Sequence, residues 1–207
     1  MHLPDGIIPF NQAIIYWIIS IFFIFYFIKI MKDEENSKRL VYIAIFSAVV
    51  AVCSGISVPT PFGLPVHFFL IPLAVLILGP YSGVVVTFIA LTIQALFLGM
   101  GGILSLGANI FVMGVVLSFI TYFFYNLLGD MINKSLAIFI STLSGIIFAS
   151  VGQMAIIMIS GAGNFELLLI TLIPFYIVVG LIEGFANTVI MKFIEKLEPE
   201  MLCLNKI

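Results

Sequence analysis

The sequence divides into long, uninterrupted apolar runs, and few architectures can hold them. A transmembrane β-barrel requires alternating apolar and polar residues, which these runs do not show. A disordered chain is opposed by the same runs and by 21 phenylalanines. Of the 207 residues, 63% are apolar and 9% charged, whereas a soluble domain carries roughly 25% charged residues. Such a chain cannot cover a water-facing surface, which excludes a soluble globular enzyme. The expectation is an all-α, polytopic membrane helix bundle, forming one domain over residues 1–207. A net charge of −2 argues against nucleic acid as a partner. Cys53 and Cys203 are too few for a disulfide framework and read as apolar filler.

A helix rises about 1.5 Å per residue and the hydrocarbon core is about 30 Å thick, so a span needs around 20 apolar residues. Seven runs are read as spans, the third of them well short of that length: 13–30, 40–56, 66–78, 81–98, 110–128, 135–159 and 167–191. The third is short enough to be re-entrant and ends at Gly79-Pro80. Between the second and third, residues 57–65 contain Pro59, Pro61 and Pro65, which remove backbone donors and forbid a helix. A glycine-rich connection, Gly99 to Asn109, follows the fourth. With seven spans, all eight Lys and Arg residues fall on one side. The positive-inside rule makes that side cytoplasmic, with the N-terminus outside and the C-terminus inside. Residues 1–12, 57–67 and 99–109 then form the outer face. The stretch before the first span has no Lys or Arg and no small-residue cleavage site follows it, so it does not read as a signal peptide. Met1 is expected to be retained, because His2 is too large for initiator removal.

The outer face lacks Lys and Arg. Its ionisable groups are the Met1 amine, His2, Asp5, His67 and Glu166, and the chain has only these two histidines. Met1-His2 is a chelating end. Its free amine, the His2 amide nitrogen and His2 Nδ1 can bind one ion in a five-membered and then a six-membered ring. His67 can complete four nitrogens in a plane, which suits Ni(II) or Cu(II) and, at the borderline, Co(II). Zinc's tetrahedron and calcium's preference for oxygen fit less well. The same residues also fit a plain terminal residue and an interfacial histidine.

Met1-His2-Leu3-Pro4-Asp5-Gly6 resembles the M-H-x-x-[DE]-G opening of the CbiM/NikM family. Members are cobalt/nickel substrate-binding (S) components of energy-coupling-factor transporters. Pro59, Gly63 and His67, followed by Leu78-Gly79-Pro80, are similar to the family's proline-and-glycine loop ending in histidine. Gln94-Ala95, Gly101-Gly102, Leu106-Gly107-Ala108-Asn109 and Met113-Gly114 resemble its Q-A…G-G…L-G-A-N…M-G run, and Glu183-Gly184 its E-G pair. The resemblance covers most of the chain. It implies an N-terminus that enters a pocket from outside, metal nitrogens from Met1, His2 and His67, and no resident cofactor, since Ni(II) or Co(II) is the cargo. It further implies a transmembrane T component, a pair of cytoplasmic ABC-type ATPases, sometimes a small companion membrane protein, and the plasma membrane of a prokaryote. The loop departs from the pattern: Leu64-Pro65-Val66 precede His67, Phe68-Phe69 follow it, Ser57 stands where Asn is common, and Met100 where an acid is usual. A bulkier, drier loop results.

Four further places carry candidate roles. Glu183 lies inside the seventh span, where a charge is costly and functional use is the default hypothesis. It can serve coupling or ion passage, or fix helix packing with Asn187 one turn on. Asn109 can cap the fifth span or brace a metal-ligating histidine. Ser105 can cap or contact the site, and Gln94 reads as an interhelical hydrogen bond. Ala44 and Ala48 form a small-xxx-small pair. By the resemblance it docks on the T component, and internal packing suits it equally. No G-x-x-x-x-G-K-[ST] sequence occurs, so ATP hydrolysis would fall to partners and the chain itself is not expected to be an enzyme. The competing readings are a self-sufficient metal channel or proton-coupled carrier using Glu183, and a membrane scaffold subunit without metal.

Overall fold

The structure, a computed structural model, describes residues 2–32, 37–58 and 66–201. Its helices are α1 (Phe10–Lys32), α2 (Ser37–Cys53), α3 (Ile71–Leu78), α4 (Pro80–Phe97), α5 (Leu106–Asn109), α6 (Leu117–Gly129), α7 (Lys134–Ile159) and α8 (Phe165–Leu197). A π-helical stretch, Ile110–Val116, joins α5 to α6. Two short strands, β1 (Ser57–Val58) and β2 (Val66–His67), pair antiparallel with Ser57 opposite His67.

Among the described residues, five helices are long and apolar enough to cross a membrane: α1, α4, the continuous α5–π–α6 rod, α7 and α8. Helix α2, at 17 residues, sits at the lower limit for a span. The expected third span is replaced by something different. Only its last eight residues are helical, about 12 Å at 1.5 Å per residue. The preceding residues 66–70 are not helical; an extended chain covers about 3.3 Å per residue. Strand and half-helix together match the length of α2. The two ends bear this out: His67 pairs with Ser57 just beyond the end of α2, and Arg39 at its beginning donates to the Leu78 carbonyl at 3.2 Å.

Helix α3 is the centre of the bundle. All eight of its residues are buried, and it touches α2, α4, α6, α7 and α8. A helix that is apolar all round is a core element or a membrane span, and complete burial makes α3 the former. Gly79, at φ 83, makes the left-handed turn into α4, and Pro80 takes the first helical position, where its missing N–H costs nothing. Outside this core, α1 and α8 expose Ile18, Phe22, Phe25, Ile170, Val178 and Phe185. Side chains of this kind on two long helices are a lipid-facing surface, and the chain is an integral membrane protein.

Other boundaries differ from expectation in small ways. Helix α1 begins at Phe10 rather than Ala13, and α2 stops at Cys53 rather than Ile56. The glycine-rich connection is helical from Leu106. Asn109 therefore sits inside the helical rod and caps nothing; Ser105 is the N-cap and makes no capping bond.

Candidate metal centre

The N-terminal peptide is clamped along its length by the connection between α4 and α5. Leu3 is buried, and the Asn109 side chain grips its main chain from both directions. Leu3 N–H donates to Asn109 Oδ1 at 2.8 Å and Asn109 Nδ2 donates to the Leu3 carbonyl at 3.1 Å. The Ser105 hydroxyl lies 2.6 Å from the same carbonyl and 2.9 Å from Asp5 Oδ1, and its one proton serves either acceptor. Asp5 Oδ1 also accepts the Ser105 N–H at 2.9 Å. Partial desolvation raises the Asp5 pKa, but the bonds from Ser105, Leu104 and Ile103 outweigh it and hold the carboxyl below its usual range. A Cβ on Gly102 would run into the Asp5 carboxylate and main-chain nitrogen; glycine there is what lets the peptide dock. Helix α1 braces this clamp through Trp17 Nε1 to the Ile103 carbonyl (3.0 Å) and Ser20 Oγ to the Gly107 carbonyl (2.6 Å).

This docking sets His2 over α4. Its Nε2 is 2.9 Å from Gln94 Oε1. The roles in that bond follow from what lies behind it. Ser54 Oγ donates to the Val50 carbonyl at 2.5 Å, so it accepts from Gln94 Nε2, also 2.5 Å away. The second Gln94 N–H goes to the Ala51 carbonyl at 3.0 Å. Both amide protons are committed to α2, so the amide oxygen faces His2 as acceptor and the imidazole carries its proton on Nε2. Nδ1 keeps its lone pair. Burial, only partly opposed by the Gln94 bond, pushes the His2 pKa down to about 4, so the ring is neutral at neutral pH.

His67 reaches the same place from β2. It is half-buried, and its buried Nδ1 has no hydrogen-bond partner among the described residues. Desolvation lowers its pKa, against a hydrogen bond that the ring donates to the Ser54 main-chain carbonyl. The two histidines are close enough for His67 to depress the His2 pKa further. Among the described residues, no three His, Cys, Asp or Glu side chains cluster as a metal site. A full ligand set would therefore need main-chain or terminal nitrogens beside the imidazoles. Met1 and the Pro59–Pro65 loop lie outside the described residues.

The other predicted residues are spread more widely. Ser105 and Asn109 do meet at the site, though both act on Leu3 rather than on an imidazole. Glu183 is fully buried, and its two oxygens accept the Phe69 and Leu70 N–H groups, each at 2.8 Å. Asn187 does not bond it, donating instead to Thr142 Oγ1 at 3.3 Å. Ala44 and Ala48 lie exposed on α2, away from the centre. Two contributions escaped sequence reasoning: the Asp5 latch and the bond from His2 to Gln94. Gln94 was conspicuous as a polar residue in an apolar helix, but its partner is 92 positions away.

The family CbiM, described as the cobalt uptake substrate-specific transmembrane region, matches residues 2–201. The cobalt transport protein CbiM of Thermosipho melanesiensis is 32% identical over 211 residues, covering 95% of this chain and 87% of that protein. A protein of Archaeoglobus fulgidus named as a fused nickel transport protein, NikMN, is 30% identical over 204 residues, covering 98% of this chain and 68% of its own length. The crystal structure of a truncated transition metal transporter superposes with a TM-score of 0.86 at 24% identity, covering 95% of this chain and 99% of the other.

Proposed function

The chain belongs to the CbiM family of cobalt/nickel transport membrane proteins, and from that premise we propose that it is the metal-capturing subunit of an energy-coupling-factor importer for Ni(II) or Co(II). The observation that carries this reading is the state of the two imidazoles. The Gln94 network holds the His2 proton on Nε2 and leaves Nδ1 unprotonated, and the buried Nδ1 of His67 has no partner among the described residues. Neutral imidazoles are the form a metal binds. The Met1 amine and the His2 amide nitrogen supply the remaining two donors, giving a four-nitrogen set suited to Ni(II) and workable for Co(II).

Each residue at the site has a task in that capture. Asn109 and Ser105 hold Leu3, which fixes the peptide on the far side of His2. Asp5 latches the segment to the α4–α5 connection. Gln94 selects the tautomer. Binding displaces protons from the amine and the amide, so affinity falls as pH drops. Ion release inward follows a shift of the outer loops or a tilt of the subunit, driven by a T component and a pair of ATPases in the plasma membrane of a prokaryote.

The test is a titration of the purified protein with Ni(II) and Co(II), alongside His67→Ala and a form extended before Met1. The expected result is one ion per chain, with binding weakened in His67→Ala and lost in the extended form. Tight binding that survives the extension would remove the terminal nitrogen from the site and end this reading.

A further inference from the structure

We propose that Glu183 is a positioning residue for His67, acting through the main chain of Phe69 and Leu70. The inference rests on His67 being a metal ligand, as proposed above. It starts from a difficulty in the fold. Residues 68–70 have no helical or strand partner and run through the interior of a membrane protein, where no water is at hand to satisfy backbone donors. They also lead into α3, whose first N–H groups have no intrahelical partner. The N-cap is Leu70, whose side chain can accept nothing, and it is held at φ 54, the one positive φ outside glycine among the described residues.

Helix α8 resolves the difficulty. The two Glu183 oxygens take the two consecutive donors, Phe69 N–H on Oε2 and Leu70 N–H on Oε1. Two turns earlier on the same face, Tyr176 packs its ring against Phe69, with centroids 6.1 Å apart. The chain is thus pinned to α8 at Phe69 and Leu70, two and three residues beyond His67. On its other side His67 is registered against Ser57. A ligand imidazole on a short extended segment takes its position from these two anchors. Each carboxylate oxygen of Glu183 thus has a main-chain partner, which gives the residue a structural task without any ion.

The choice of glutamate matters. Gln has the same length and volume but only one acceptor, so one of the two N–H groups would face an amide NH₂. Asp keeps both acceptors at a shorter reach. The experiment is a double-mutant cycle on the full chain, measuring Ni(II) affinity and the Ni(II) visible absorption of wild type, E183Q, H67A and E183Q/H67A. E183Q is expected to weaken binding about 10- to 100-fold, the range for losing a group that orients a ligand, and to shift the spectrum towards that of H67A. In the H67A background the same substitution should change affinity less than about threefold, because the residue it acts through is gone. E183D should recover most of the loss; should the glutamine variant fail to fold, Y176L, which removes the α8 ring packed against Phe69, takes the place of E183Q in the cycle. An equal loss in both backgrounds, or no loss with wild-type binding intact, overturns the proposal and leaves the capture reading standing. Wild-type protein that binds neither ion overturns both.

Discussion

At the scale of single residues, the site depends on where hydrogen atoms sit. A histidine offers a metal one lone pair, and which nitrogen bears it is set by the partner of the other. Here the setting passes from the Val50 carbonyl through Ser54 to Gln94 and on to His2, each donor and acceptor fixed by the next. Gln94→Leu removes that constraint with little change in volume. The expected outcome is a loss of metal affinity of about 10- to 100-fold, with the helical circular dichroism unchanged; isothermal titration with Ni(II) checks it. Affinity equal to wild type would mean that the Nδ1 lone pair needs no help from Gln94. Much at this scale was legible in the sequence. Two histidines in an apolar chain, one at its beginning and one after a proline-rich loop, drew attention for their chemistry, and the fold brings them close. The supporting residues Gln94, Ser105, Asn109 and Glu183 stood out in the sequence, but their partners did not, because each bond joins distant positions: Leu3 to Asn109 across 106 residues, and Phe69 to Glu183 across 114.

At the scale of elements, the connection between α4 and α5 is a receptor for the N-terminal peptide, and its glycines show how close the two lie. Gly102 sets the strongest constraint, since any side chain would displace Asp5. Gly102→Ala is therefore expected to loosen the peptide and lower metal affinity at least tenfold, by the loss of pre-positioned ligands. Gly129→Ala, at the open end of α6 with nothing within 4 Å, should bind like wild type. Side-by-side titration of the two variants checks this, and equal affinity would show that docking tolerates a displaced Asp5. The sequence misjudged two elements for physical reasons. Apolarity all round does not distinguish a buried strand from a buried helix, so residues 66–78 read as one short helix instead of a strand followed by α3. The Leu106–Asn109 turn holds two poor helix formers, Gly107 and Asn109, and is helical because α1 lies against it, with a Cβ on Gly107 only 2.6 Å from the Trp17 nitrogen. The π-helical stretch after Asn109 has no compositional signature at all.

At the scale of the whole molecule, the question is whether this chain moves ions unaided. The class of fold was readable from composition alone, because 9% charged residues cannot clothe a soluble protein of this size. Composition says nothing about a path, and here the structure is more informative. The middle of the bundle is filled by α3, every residue of it buried. Among the described residues, the one acidic side chain buried inside a span is bonded to main chain through both oxygens. In a carrier that worked alone, this carboxylate would have to take up and release an ion or a proton while it holds these two main-chain bonds. On the reading proposed above, the N-terminal segment captures the ion while the interior is a packed helix, and movement is then left to partner subunits. The expected behaviour in sealed vesicles follows: this chain alone should retain nickel in proportion to its own amount, reaching a plateau near one ion per chain. Sustained uptake should appear only when a T component and ATPases are reconstituted with it and ATP is supplied. Radioactive ⁶³Ni accumulation against time distinguishes the cases. Continued uptake by the chain alone, driven by a proton gradient and abolished in E183Q, would make it a carrier and give Glu183 the role its hydrogen bonds now argue against.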